Sequence, residues 1–217
     1  MDHARDPDNS RIDLQKNEDV MKKRIAFLDF DGTITTKDSL LAFIFYRYGK
    51  WKTYIGLLSV SIFYVGYILK LIPVQVAKES VLRRFFRNEK IEQFQSACEQ
   101  FILEAIPTLL RPKAINEIRL LQQRGAEVVI ISASPCNWIE SWSKSIGATA
   151  ICSKLEVANG KLTGRINGNN CRGKEKVRRI KNTFRLEEYD EIYAYGDTKG
   201  DKPMLELATF AFYKPFR

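Results

Sequence analysis

The stretch FLDFDGTIT, Phe27 to Thr35, decides how this chain is read. An apolar run ends on Asp29, a second aspartate follows at position 31, and Gly32 comes straight after it. Two carboxylates this close cannot both ionise cheaply unless a cation stands beside them. The run that precedes them, from Arg24, has the composition of a buried parallel strand. Residues two apart on a strand point the same way, but Gly32 lets the chain turn out of the strand at Asp31. Both carboxylates can then face one site while doing different work. Mg²⁺ suits such a pair, because it is a hard ion that takes oxygen ligands and keeps water and phosphate in its shell.

Working outward, the same pattern returns. AEVVIISAS (Ala126–Ser134) and EIYAYGD (Glu191–Asp197) are apolar runs that end in small polar or acidic residues, and TFAFYK (Thr209–Lys214) offers a fourth strand. Helical stretches at Lys113–Arg124, stopped by Gly125, and at Lys174–Phe184 lie between them. Alternating strands and helices predict an α/β fold with a Rossmann-like parallel sheet. Ligands of such sheets bind at the carboxyl ends of the strands. Asp29, Ser132 and Asp197 all fall there, and Asp201 stands four residues beyond Asp197. LEVANGKLTGRINGN (Leu155–Asn169) reads as a β-hairpin around Asn159-Gly160. From 38 to 110 no strand signal appears, and the segment is too long for a simple crossover. The expected organisation is a catalytic core made of 21–37 and 111–217, with 38–110 as a helical cap inserted after the first strand.

Composition narrows the chemistry. The chain has 217 residues, 45% of them hydrophobic and 28% charged, as expected of a globular protein with a real core. Its formal charge of +9 suits a phosphorylated or anionic partner. With His3 the one histidine, a triad that needs a histidine base is not expected. The four cysteines (Cys98, Cys136, Cys152, Cys171) form no C-x-x-C pair, so a zinc site is not expected. Residues 1–20 are polar and carry six acidic against three basic side chains, with no periodic apolar face. They read as a disordered tail without an export signal, and Met21 offers a second possible start. A cytoplasmic protein with reduced cysteines is the expectation.

DFDGT, ISAS, the glycine-lysine segment RGKEK and YGDTKGDKP, in that order, resemble the four motifs of the haloacid dehalogenase superfamily of phosphatases. The resemblance runs from about Arg24 to the C-terminus. The insert just after the first motif resembles the phosphoserine-phosphatase-like branch (subfamily IB). The resemblance implies a Mg²⁺-dependent phosphatase in which Asp29 is the nucleophile and forms an aspartyl-phosphate. Asp31 would protonate the leaving alcohol and then activate water. The metal would be held by Asp29, the Asp31 backbone carbonyl and Asp197, with Asp201 behind them. Ser132 would bind a phosphate oxygen, and either Lys174 or Lys176 would neutralise its charge. Each part also has a plain reading. Asp-Gly after a strand makes a turn, Asp201 near Pro203 can cap a helix, and either lysine can sit on a solvated helix face. Their joint occurrence favours the enzyme.

The insert bears on substrate. Tyr54–Ile72 is 19 residues with one charge, Lys70. From Arg47 to Lys90 there are nine basic residues against Glu79 and Glu89, with aromatics interleaved. This run can be buried cap core, a spanning helix, or an interfacial helix meeting anionic headgroups. The interfacial reading points to a phospholipid headgroup phosphate and to the inner face of the membrane. It agrees with a resemblance to the bacterial phosphatidylglycerophosphatases of this superfamily (type C). A small metabolite such as phosphoserine is the alternative. The phosphoserine family has a glutamate for the substrate amine where this chain has Asp38, and its cap arginine has no clear counterpart, with Arg83 and Arg84 as the candidates. A non-catalytic, membrane-associated binding protein is a further class, disfavoured by the intact acidic set. Nucleic acid is not an expected partner, because the basic residues gather around an apolar cap.

Overall fold

The computed structural model describes residues 22–217; the segment 1–20, read above as a tail, and Met21 lie outside the described residues. Every residue of β1 (Arg24–Asp29) is buried. Ile25 and Phe27 pack with Val129, Ile131, Ile180 and Met204 on one face of the sheet. Ala26 and Leu28 pack with Val128, Ile130 and Trp142 on the other. Helices covering both faces explain why the strand reads as a continuous apolar run instead of an alternating one.

β2 (Ala126–Pro135) and β6 (Glu191–Gly196) flank β1 in parallel, with Asp29 opposite Ile131 and Leu28 opposite Tyr195. β3 (Thr149–Ser153) adds outside β2 and β7 (Phe210–Tyr213) outside β6, giving the order β3-β2-β1-β6-β7. The chain winds one way from β1 and the other way through β6. The crevice between the carboxyl ends of β1 and β6 is therefore the switch point where ligands bind. On the sheet pack α6 (Pro112–Gln123), α7 (Cys136–Ser145), α8 (Lys174–Thr183) and the short α9 (Lys202–Leu205). In α6, Ala114, Ile118 and Leu121 face the core at helical spacing, and Gly125 (φ 76°) turns the chain into β2.

The insert holds α1 (Ser39–Ser59), α2 (Ser61–Ile68), α3 (Val74–Phe86), α4 (Ile91–Glu104) and α5 (Ile106–Leu109). Phe43 of α1 stacks on Trp138 of α7 with ring centroids 5.1 Å apart, and meets Phe94 and Phe101 of α4 edge-on. This aromatic cluster fastens insert to core. The β-hairpin β4 (Leu155–Ala158)–β5 (Lys161–Ile166) turns at Asn159 and Gly160, both at positive φ. It belongs by sequence to the core segment but bonds to the insert. Asn88 N–H donates to Leu162 O at 2.8 Å, Leu162 N–H to Glu89 O at 2.9 Å, and Ile91 N–H to Gly160 O at 3.0 Å.

The structure narrows the three readings of the 54–72 run and corrects the expectation of reduced cysteines. The apolar run 54–72 is not cap interior: α2 has no buried residue, and the run is split where α1 ends at Ser59 and again where Lys70 takes φ 58°. Among the described residues, no helix is long and apolar enough to cross a membrane. The cysteines are not all reduced, because the start of α7 lies against β3 and Cys136 and Cys152 are joined as a disulfide, Cα atoms 5.1 Å apart. Cys98 and Cys171 are free and buried.

At the amino end of the sheet, Glu191 accepts from Arg24 Nε at 2.8 Å and from Lys22 Nζ at 3.0 Å. The bond from Arg24, then that from Lys22, hold its carboxyl down at about 2. A carboxylate whose folded pKa is depressed stabilises above its unfolded value and loses that contribution as pH falls through the folded one. Glu191→Gln is expected to lower the unfolding free energy by about 1–3 kcal/mol at neutral pH. In urea titrations the gap to wild type should narrow as pH drops from the ordinary glutamate value of 4.5 towards 2; a gap unchanged at the acid end would contradict this linkage.

Candidate active site

β1 delivers Asp29 to the carboxyl edge of the sheet, and one wide turn over Phe30–Ile34 follows, closed by Thr35 N–H donating to Phe30 O at 3.0 Å. Gly32 sits in this turn at φ 84°, and a Cβ there would lie 2.6 Å from Asp197 Oδ2. Conformation and space together require glycine. The glycine thus brings the first motif against the fourth.

Lys176, on α8 and buried, donates through Nζ to Asp29 Oδ1 at 2.5 Å, to Asp201 Oδ1 at 2.6 Å and to Ile131 O at 3.1 Å. Lys174, two residues earlier, is exposed at the start of the helix, outside this cluster. Burial pushes the Asp29 carboxyl up to about 7, and the charge of Lys176 only partly opposes it. Burial also works against the charged form of Lys176, but Asp29 and Asp201 outweigh it and hold the ammonium above its ordinary value. Asp201 ends below the usual carboxylate range, because Lys176 and Thr198 outweigh its burial.

The remaining carboxylates are held by defined donors. Asp197 Oδ1 lies 3.3 Å from Thr33 Oγ1, which also reaches Asp29 Oδ2 at 3.1 Å; Arg217 donates to Asp197 Oδ2 at 2.5 Å. Asp201 Oδ2 accepts from Thr198 N at 2.9 Å and Thr198 Oγ1 at 2.7 Å. Asp31 turns away from Lys176: Oδ1 accepts from Ser39 N at 2.7 Å, and Oδ2 from Ser132 Oγ at 2.9 Å and Ser134 Oγ at 2.7 Å. From the insert, Lys78 donates to Ala133 O at 2.5 Å and Asn170 Oδ1 at 3.3 Å, and burial lowers its pKa. Asp38 caps α1 through Oδ1, accepting from Leu41 N at 2.9 Å.

Asp29, Asp31, Ser132, Lys176, Asp197 and Asp201 therefore share one crevice, and Lys174 does not. Sequence reasoning passed over Thr33, Ser39, Lys78, Ser134 and Arg217. Ser134 had a signal, since it stands two residues after Ser132 on a strand and so shares its face. Lys78 and Arg217 had none, because their approach depends on the packing of distant segments.

The donor set fits a hard divalent cation. Carboxylate oxygens of Asp29, Asp197 and Asp201 lie within 4.8 Å of one another, and among the described residues the direct ion-pair partners of the four aspartates are Lys176 and Arg217. Asp201 is tied down by Lys176 on one oxygen and by Thr198 on the other. Asp29 Oδ2 and Asp197 Oδ1, in contrast, share the single hydroxyl of Thr33 at 3.1 and 3.3 Å, so these two oxygens and nearby backbone carbonyls are the ones best able to face an ion.

A sequence model of the haloacid dehalogenase-like hydrolases matches residues 26–206, and the chain belongs to this family. It is thus a hydrolase on an α/β fold. Protein CicA of Caulobacter vibrioides is 34% identical over 196 residues, 89% of this chain and 86% of that protein. A protein named probable phosphatase of Mycobacterium tuberculosis is 29% identical over 195 residues, 86% of this chain and 67% of that one. A protein of unknown function from Bordetella pertussis Tohama I superposes with a TM-score of 0.74 at 21% identity, over 87% of this chain and 88% of its own. A substrate-bound phosphoserine phosphatase gives 0.59 at 18% identity, over 86% and 83%. The two structures share the fold.

The two lysines of α8 predict opposite outcomes. Lys176→Met leaves two buried carboxylates without their common cation and is expected to cost about 3–5 kcal/mol of unfolding free energy. Lys174→Met, on a solvated face, should change it by less than about 0.5 kcal/mol. Denaturant unfolding of both variants checks this, and equal effects would contradict the geometry.

Proposed function

We propose that the protein is a Mg²⁺-dependent phosphomonoester hydrolase that works through an aspartyl-phosphate on Asp29. The observation that carries this reading is the buried Lys176 bridging Asp29 and Asp201, beside Asp31 and Asp197 at the ends of β1 and β6. A nucleophilic carboxylate needs its charge balanced on one side and its attacking side open to phosphorus. Mg²⁺, held by Asp29, the Asp31 carbonyl and Asp197, would neutralise phosphate oxygens and align the ester.

In the first step an Asp29 oxygen attacks phosphorus, the P–O bond to the alcohol breaks, and the departing oxygen takes a proton from Asp31. In the second, water gives a proton to Asp31 and its oxygen attacks phosphorus. The bond to Asp29 breaks, releasing inorganic phosphate and restoring the carboxylate. Ser132 turns its hydroxyl to a phosphate oxygen, and Lys176 takes up charge on the transferred group.

The substrate reading rests on the insert. Trp51 is 83% exposed, Leu58 75% and Ile62 74%, and Leu69 and Leu71 are exposed as well. Exposed apolar side chains this dense mark an interaction face. Lys50, Lys52, Lys70 and Arg84 lie beside it, also exposed. Aromatic and basic residues around an apolar helical face suit an anionic bilayer surface, entered without being crossed. Gly56 seats this face, for α1 lies so close to α3 that a Cβ there would meet the Phe85 ring at 2.3 Å. A phospholipid headgroup phosphate, of the phosphatidylglycerophosphate kind, is the substrate we favour. A small phosphorylated metabolite is the second reading, supported by the crevice itself, where Lys78 and Asp38 stand near Asp31. Its test is the same assay.

Asp29→Asn should abolish phosphate release by several orders of magnitude, and EDTA should do the same to wild type until Mg²⁺ is returned. Phosphatidylglycerophosphate in mixed micelles should be preferred over phosphoserine and an aryl phosphate; a preference for phosphoserine would select the second reading. Leu58→Ser/Ile62→Ser should reduce co-sedimentation with anionic phosphatidylglycerol vesicles while leaving aryl phosphate turnover intact. Equal sedimentation of variant and wild type would remove the membrane-facing role.

A further inference from the structure

Asp31 receives its donors from a buried chain of side chains with a fixed direction. The indole Nε1–H of Trp138 can only donate, and it lies 3.0 Å from Ser39 Oγ. Ser39 Oγ is thereby an acceptor, and its own hydrogen points to Ser134 Oγ at 3.1 Å. Ser134 passes the direction on by donating to Asp31 Oδ2 at 2.7 Å. Trp138, Ser39 and Ser134 are all but fully buried, so water does not compete for these bonds. Ser39 also donates through its backbone N–H to Asp31 Oδ1 at 2.7 Å.

We propose that Ser134, polarised by Trp138 through Ser39, is the positioning residue that keeps the Asp31 carboxyl aimed at the leaving-group oxygen during phosphoryl transfer. The proposal rests on Asp31 being the proton donor, as read above. In the structure Ser132 shares Asp31 Oδ2 at 2.9 Å. When Ser132 turns to the phosphate, Asp31 loses that donor and keeps Ser134 on one oxygen and Ser39 N–H on the other. The two serines of ISAS thus divide the labour, one for the phosphate and one for the acid. Ser39 opens the first insert helix, while Ser134 and Trp138 belong to the core. The chain therefore forms only when insert and core are packed together, which couples placement of the acid to closure of the site. Hydrogen bonds in such a series polarise one another in a low-dielectric interior.

The leaving group supplies the test. An alkyl phosphate expels an alkoxide that needs a proton, whereas p-nitrophenyl phosphate expels a stable anion that does not. The quantity to compare is kcat/KM, which covers the steps up to formation of the phospho-enzyme. Ser134→Ala should lower it on the order of 10–100-fold for the best alkyl substrate and by less than about threefold for p-nitrophenyl phosphate, while any change in the hydrolysis of the shared phospho-enzyme appears in kcat for both. Trp138→Phe, which keeps the ring and removes the donor, should show a smaller loss with the same selectivity. Ser134→Thr, which restores a hydroxyl, should recover the alkyl rate. Equal loss on both substrates, or no loss on either, would overturn the proposal. Asp31→Asn separates it from the reading beneath. A selective loss in Asp31→Asn with a flat Ser134→Ala removes only the positioning role, and an unselective Asp31→Asn removes the acid assignment and the positioning role together.

Discussion

Lys176 carries an ammonium group into the interior and places it 2.5 Å from Asp29 and 2.6 Å from Asp201. Removing a lysine from water costs several kcal/mol, which only well-placed carboxylates offset. An apolar set of the same volume would hold the fold as well or better. What the ionic cluster contributes is direction, since α8, the end of β1 and the loop after β6 meet at one charge. Asp29 keeps a fixed orientation, and the carboxylates gathered there form a donor set that fits a hard cation. The fourth motif follows from the same constraint, because Asp201 must reach Lys176 while its other oxygen orders Thr198 beside Asp197.

Around this clamp the two parts of the molecule divide the site. The core presents Asp29, Lys176 and Asp197. The insert supplies the Ser39 N–H to Asp31 and brings Lys78 to the Ala133 carbonyl. Phe43 against Trp138 holds these contributions in register. Asp29 is thus governed by the sheet and Asp31 by the joint between sheet and insert. That is a physical basis for two neighbouring aspartates with different work.

The outer face of the insert answers to another constraint. No side chain of α2 is fully buried within the described chain, so the hydrophobic effect holds this helix in place far less than it holds α4, where Phe94, Cys98 and Phe101 are buried. An exposed apolar surface of this kind lowers its free energy by meeting something apolar, and the exposed basic residues near it are what the proposed anionic surface would complement. The membrane-facing reading follows from this imbalance.

The sequence by itself determined the sheet and most of the acidic crevice. Continuous apolar runs ending on Asp29, Ser132 and Asp197 express a local rule, burial on both faces up to the strand end. Gly32 and Gly125 mark turns through their own backbone freedom. β3 and α7 were missed, since TAICS is short and α7 starts without a break after β2. Only the tertiary structure decided between Lys174 and Lys176. Both stand on one helix in the same motif, and the difference is which of them the rotation of α8 drives between two distant carboxylates. It likewise decided that the 54–72 run faces outward, that Cys136 meets Cys152, and that Ser39, Ser134 and Trp138 line up behind Asp31. Each of these is a contact between residues far apart in the chain, and periodicity carries no information about which distant surface a side chain will meet.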